Sequence, residues 1–194
     1  MLWSSFIPYM LISIFTPGPN TITAMVNAGK HGFRKGLRFN VGVLAGFFLL
    51  MLCCAAFSSL LQTALPAIKP YMTWLGAAYL LWLAWVTLRD RPHRTGRAPR
   101  LQTNSVLTGA LLQFVNIKVI LYGITAFSGY ILRSYTAWPT LALFALGMAC
   151  VGFISTSCWA LFGSVFDRLF SRHRRALNAV MALLLVYCAA SLLL

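Results

Sequence analysis

Apolar residues run along the chain in six long blocks, over 3–28, 39–61, 68–88, 105–127, 138–163 and 176–194. A helix of about 20 apolar residues crosses the hydrocarbon core of a bilayer, and each block is of about that length. The blocks lack the alternation of polar and apolar positions that marks strands, and they exceed the roughly ten-residue segments of a membrane barrel. The pattern predicts an all-α integral membrane protein of six transmembrane helices. No Lys or Arg precedes the first block, and basic residues follow it instead. That order describes a retained span with its N-terminus outside, not a cleaved leader.

Composition agrees. The 194 residues are 60% hydrophobic and 9% charged, where soluble domains carry about 25% charged residues. Six spans use most of the chain and leave no room for a sizeable soluble domain, so 1–194 is expected to form one transmembrane domain. The net charge of +14 would suggest nucleic acid in a soluble protein. Here the basic residues sit in short clusters between blocks, and no basic face remains once the spans are set aside.

Those clusters alternate. Lys30, Arg34, Lys35 and Arg38 follow the first block, and Lys69 alone follows the second. Arg89, Arg91, Arg94, Arg97 and Arg100 follow the third, and Arg133 alone the fourth. Arg168, Arg172, Arg174 and Arg175 follow the fifth. The positive-inside rule then puts loops one, three and five in the cytoplasm and both termini outside, in the periplasm. Three spans enter from each side, so halves at about 1–90 and 101–194 would form inverted repeats about a basic cytoplasmic linker at about 89–104. Gly42 and Gly46 in span two, and Gly147 and Gly152 in span five, suit close helix approach in both halves.

Two stretches break the apolar pattern at mid-span. Span one contains Thr16-Pro17-Gly18-Pro19-Asn20. A proline inside a helix removes a hydrogen bond and costs about 3 kcal/mol. In lipid the freed carbonyls need partners within the protein or in a wet cavity. A second half-helix starting after Pro19 would aim its first N–H groups into the break, where a carboxylate binds well. A kink used only for packing is the alternative.

Span four contains Gln113-Phe114-Val115-Asn116-Ile117-Lys118. A Lys at the bilayer centre costs about 2.5–3.5 kcal/mol. Both acidic residues, Asp90 and Asp167, lie at cytoplasmic span ends. A transported carboxylate, a neutral Lys118, or carbonyls freed by Pro17 and Pro19 would each account for the residue. Asn20 and Asn116 fall at similar depths in the two halves, and paired interruptions of this kind point to a transporter site. An amino acid's ammonium would need carbonyls or hydroxyls, for which Thr16, Thr23, Gln113 and Tyr122 are candidates. Cys54, Trp82 and Trp159 are candidates for a side-chain pocket, with core packing as the alternative for each.

The motif PGPN, the stretches HGFRKGLRFNVGVLAG and WLGAAYLLWLAW, and QFVNIKVILYG in span four together resemble the LysE/RhtB family of amino-acid exporters, in order and over essentially the full chain. The resemblance implies efflux of a small amino acid across a bacterial inner membrane by alternating access between inverted halves. Its QFVNIKVILYG and LLLVYCA stretches are similar to the members that export L-cysteine and O-acetyl-L-serine. Homoserine, threonine or leucine is the alternative cargo. Carried over residue by residue, the family motifs fall on Pro17, Gly18, Pro19, Asn20, Asn116 and Lys118. Many members carry a proline between the span-four Asn and Lys, where this chain has Ile117, which leaves open whether span four unwinds.

Other chemistries find little support. No phosphate-binding GxxxxGK[ST] loop occurs. Lys118 and Asp167 are the candidates for proton coupling, and a gradient-driven exporter is the alternative. His31, His93 and His173 all fall between the apolar blocks, which argues against an intramembrane hydrolase. Cys53, Cys54, Cys150, Cys158 and Cys188 lie in apolar runs without a CxxC pair. They read as small packing residues, so no metal, cofactor or redox role is expected. Oligomeric state stays open, with a homo-oligomer compatible.

Overall fold

The computed structural model describes residues 3–89, 104–169 and 174–193, which are helical with no strand among them. In chain order the helices are α1 (Trp3–Phe15), α2 (Pro19–His31), α3 (Phe33–Ala56), α4 (Ser58–Arg89), α5 (Val106–Val115), α6 (Ile117–Ile124), α7 (Trp138–Leu169) and α8 (Arg174–Leu193). A π-helical segment, Thr125–Ile131, continues α6. The first apolar block is thus α1 plus α2, and the fourth is α5 plus α6. Among the described residues, α3 and Trp138–Val165 of α7 are long and apolar enough to cross a membrane. Val106–Val115 and Ile117–Ile131, bent by 64° at their break, are long and apolar enough only when taken together as one broken span.

Several basic residues expected in loops lie on helices instead. Arg34, Lys35 and Arg38 occupy the first turns of α3, because Gly32 alone separates α2 from α3. Its φ of 81° lies where only glycine sits without strain. Lys69, Pro66 and Pro70 lie within α4. At about 1.5 Å per residue this 32-residue helix is about 48 Å long, longer than a hydrocarbon core of about 30 Å. Hydropathy cannot tell a helix that extends past the core from a loop. Arg168 ends α7, and Arg174 and Arg175 begin α8. The linker expected at 89–104 lies outside the described residues except at its two ends.

The half-helix α2 is the centre of the molecule. Every residue from Pro19 to Ala28 is buried, whereas α1 buries only Phe6. α2 packs on α7 and α3, and also touches α4 and α8. Ile22, Met25 and Val26 form one cluster with Leu80 and Leu83 of α4 and Leu185 of α8. A larger cluster, including Phe47, Met51, Ile120, Phe127 and Met148, joins α3, α6, the π-helical segment and α7.

Close backbone contact fixes α3 against α5. Gly42 and Gly46 form a GxxxG pair facing the Gly109-Ala110 segment. A β-carbon on Gly42 would lie 1.9 Å from the Val106 carbonyl oxygen, and one on Gly46 2.4 Å from that of Ala110. Neither backbone can withdraw without separating the helices. A β-carbon on Gly147 would meet nothing within 4 Å, so the expected likeness between the span-two and span-five glycines does not extend to their packing.

Two outcomes follow from these contacts. Gly42→Ala should lower stability by about 1–3 kcal/mol or more through overpacking, while Gly147→Ala should be neutral or slightly stabilising. Thermal unfolding of detergent-solubilised protein measures both. Ile117→Pro should leave the folded yield unchanged. Residue 117 is the first in α6, and Asn116 before it is already extended (φ −85°, ψ 94°), as a residue preceding proline requires.

Candidate functional site

The break in the first block is built by its own residues. Pro17 and Pro19 lack N–H groups, so α1 stops at Phe15 and the chain extends through Gly18 (φ −169°, ψ −176°). Pro19 then occupies the first position of α2, where a missing N–H costs nothing. The Gly18 N–H donates to Thr21 Oγ1 at 2.9 Å, and that hydroxyl donates back to the Gly18 carbonyl at 3.0 Å. The Ile22 N–H donates to the same carbonyl at 3.0 Å. The six residues Thr16 to Thr21 therefore encode both the stop and the restart.

Stopping α1 strands its last carbonyls, and other helices supply donors for them. Ser155 Oγ donates to the Ile14 carbonyl at 3.0 Å, and Trp159 Nε1 to that of Phe15 at 3.3 Å. Lys118 Nζ donates to the Thr16 carbonyl at 2.6 Å and to that of Pro17 at 3.4 Å. Thr16 Oγ1 turns back to the Ile12 carbonyl. The ammonium thus lies at the negative end of the α1 dipole, which favours a cation. Of the three expectations for Lys118, the carbonyl contact is observed, and the carbonyls are those of Thr16 and Pro17.

The second break lies at Asn116, which closes α5 and opens α6. The Asn116 carbonyl accepts from the N–H groups of Val119 and Ile120, at 2.9 and 3.1 Å. Span four is therefore interrupted without a proline. Its side chain meets the first break. Asn116 Nδ2 donates to Asn20 Oδ1 at 3.1 Å, and Asn20 Nδ2 donates to Gln113 Oε1 at 2.7 Å. Gln113 Nε2 donates to the Gly109 carbonyl at 2.7 Å and to Asn20 Oδ1 at 3.2 Å. All three amides are buried.

A cavity opens where the breaks meet. Its volume is about 40 Å³, counted as space for the centre of a water-sized sphere, which is room for about three waters. Thr16, Gly18, Pro19, Asn20, Asn116 and Lys118 line it, among others. Ser13, Thr21, Tyr122 and Thr156 add hydroxyls, and Val43, Phe47 and Val119 give it an apolar side. Toward α1 and α6 the rings of Tyr130, Tyr9 and Tyr122 stack in sequence, with Phe47 against Tyr122. Toward α2 and α5 it meets the amides of Asn20 and Asn116, with Gln113 behind them. Among the cavity-lining residues none is acidic. Asn116 Oδ1 and Tyr122 Oη are buried without a hydrogen-bond partner among the described residues. Each such group costs about 1–3 kcal/mol unless something else satisfies it.

Residues 11–194 match the family described as LysE type translocator. The chain belongs to this family. It is a translocator rather than an enzyme. It is 43% identical over 190 residues to the cysteine/O-acetylserine efflux protein of Escherichia coli strain K12, covering 97% of this chain and 95% of that one. It is 42% identical over 191 residues to the protein of the same name from Shigella flexneri, covering 97% and 96%. No solved structure matches the chain.

In this translocator the residues expected from sequence converge, with some exceptions. Thr16, Gly18, Pro19, Asn20, Asn116 and Lys118 lie around one cavity, whereas Pro17 does not line it and meets Lys118 through its carbonyl. Gln113 stands behind Asn20 and does not line it. Thr23, Cys54, Trp82 and Trp159 do not line it either, whereas Tyr122 does. The Asp167 side chain lies outside the described residues. Cys53, Cys54, Cys150 and Cys158 are free thiols. Sequence reasoning missed the role of α7. Its signal is the polar triplet Ser155-Thr156-Ser157 within an apolar run. Ser155 caps α1, Thr156 lines the cavity, and Ser157 Oγ accepts from Asn40 Nδ2 of α3 at 3.2 Å.

A β-carbon on Gly18 would lie 3.2 Å from Lys118 Cδ and 3.3 Å from its Nζ. The extended backbone there accepts any residue, so Gly18→Ala should fold and insert normally while pushing the ammonium off the Thr16 carbonyl. Transport should fall about tenfold or more, in line with the roughly 1.5–3 kcal/mol carried by hydrogen bonds to charged groups. Flux per inserted protein, compared with wild type, measures it.

Proposed function

We propose that this translocator exports small neutral amino acids from cytoplasm to periplasm, with L-cysteine and O-acetyl-L-serine as its cargo. The observation that carries the reading is the cavity at the junction of two broken helices, with the Lys118 ammonium and the start of α2 on its wall. The substrate carboxylate binds against Lys118 and the first N–H groups of α2, both positive in character. Its side chain lies against Val43, Phe47 and Val119. The names of the efflux proteins at 42–43% identity support this cargo. Homoserine, threonine and leucine are the alternative cargoes.

The same reading places six spans in a bacterial inner membrane, as two inverted three-helix halves within one domain. Both termini lie in the periplasm, in keeping with the basic residues between the blocks. Alternating access then opens the cavity in turn past the amides of Asn20, Gln113 and Asn116 and past the tyrosine stack. Thr16, Pro17, Gly18 and Pro19 supply the carbonyls and the half-helix end that bind substrate or move with it. Lys118 is the titratable group on the cavity wall through which a proton gradient would act.

Lys118→Met should abolish uptake of labelled O-acetylserine into everted membrane vesicles while the protein still inserts, since an uncharged residue is cheaper in the span. A panel of amino acids, run with and without an imposed pH gradient, reads cargo and coupling together. Wild-type uptake rates in the Lys118→Met protein would overturn the assignment.

A further inference from the structure

The amides beside the cavity have a polarity that is set from outside it. Gln113 Nε2 faces the carbonyl of Gly109, one turn back on α5, at 2.7 Å. A carbonyl only accepts, so the nitrogen of Gln113 must point there. Its Oε1 is thereby presented to Asn20 Nδ2 at 2.7 Å. Asn20 then turns Oδ1 toward Asn116, whose Nδ2 donates to it at 3.1 Å. Flipping any one amide would set nitrogen against nitrogen or oxygen against oxygen. The Gly109 carbonyl thus dictates that Asn116 uses its nitrogen for the protein. Asn116 Oδ1 is left as a buried acceptor without a partner among the described residues, on a residue that lines the cavity.

We propose that Asn116 Oδ1 is the acceptor for the ammonium group of the transported amino acid, and that Gln113 is the positioning residue that holds it in that orientation. The inference rests on the reading that the cavity takes an amino acid by its carboxylate. Asn116 and Lys118 stand at the same end of α6, one offering an acceptor and the other a cation, as the two ends of a zwitterion require. Among the described residues no carboxylate lines the cavity to receive the ammonium. A neutral amide oxygen accepts from it without placing an unpaired anion in the membrane when the site is empty. The arrangement selects for a free amine and against acids that lack one.

Competition against labelled O-acetylserine uptake in everted vesicles tests this, with L-cysteine and 3-mercaptopropionate as competitors. The two share the carboxylate and the thiol and differ in the amine. Cysteine should compete better by about tenfold or more in wild type. In Asn116→Ala that ratio should collapse toward one, through loss of cysteine potency and not gain of the other. Gln113→Leu should lower the ratio and raise KM more than it lowers the maximal rate. A wild-type ratio in well-inserted Asn116→Ala would overturn the proposal. Should that variant fail to insert, a wild-type ratio in Gln113→Leu would overturn it instead. Wild-type protein that takes up no O-acetylserine would overturn the cargo assignment, a failure distinct from a ratio that does not move.

Discussion

The ammonium of Lys118 set against the last carbonyls of α1 is the contact on which the centre of the molecule depends. A helix stopped at mid-membrane leaves carbonyls that water cannot reach, and the protein must satisfy them internally. Ser155 and Trp159 take those of Ile14 and Phe15, and Lys118 takes those of Thr16 and Pro17. The charge and the break each answer the other's cost. A lysine in lipid needs acceptors, and a broken helix has them to offer. Because Lys118 belongs to α6, the same contact ties the first interrupted span to the second and leaves the cavity between them.

The surroundings keep that junction in register. α2 is buried along its first ten residues, although it carries Asn20, Thr21, Thr23 and Asn27. Asn20 meets matching groups in the Asn20–Gln113–Asn116 network and Thr21 at the Gly18 backbone. The GxxxG pair of α3 lets α5 approach to backbone contact. This places Gln113, one turn beyond Gly109, within reach of Asn20. Asn20 and Asn116 of the amide network and Tyr122 of the ring stack both line the cavity.

Much of this was legible in the residues. Pro17, Gly18 and Pro19 end a helix in any context, and Thr21 restarts one through its own hydroxyl, so the first break needed no tertiary information. The second was harder to read. Ile117 offers no backbone reason to unwind, yet the chain bends by 64° at Asn116, whose side chain donates to Asn20. Gln113 looked like a ligand because it is a polar residue in an apolar run, yet it acts one step back from the cavity. Ser155 drew no reading, and Trp159 was read as pocket or packing, because their acceptors lie some 140 positions away in the chain. The basic residues revealed the spacing of the blocks but not where helices end, since an amphipathic turn at a membrane surface and a loop share the same composition.

The sequence by itself determined the solvent of the fold, the helical class, the first interruption and the two residues, Asn20 and Lys118, that mark the site. These follow from hydropathy, proline chemistry and the cost of a charge in lipid, all of which act locally. Only the tertiary structure decided which carbonyls Lys118 binds, that α7 caps α1, and which way three amides point. Each of these is a pairing between groups far apart in the chain, where the distance and the direction of a hydrogen bond carry the specificity. At the span-four interruption Asn116 donates to Asn20, a partner on another helix that only the tertiary structure supplies.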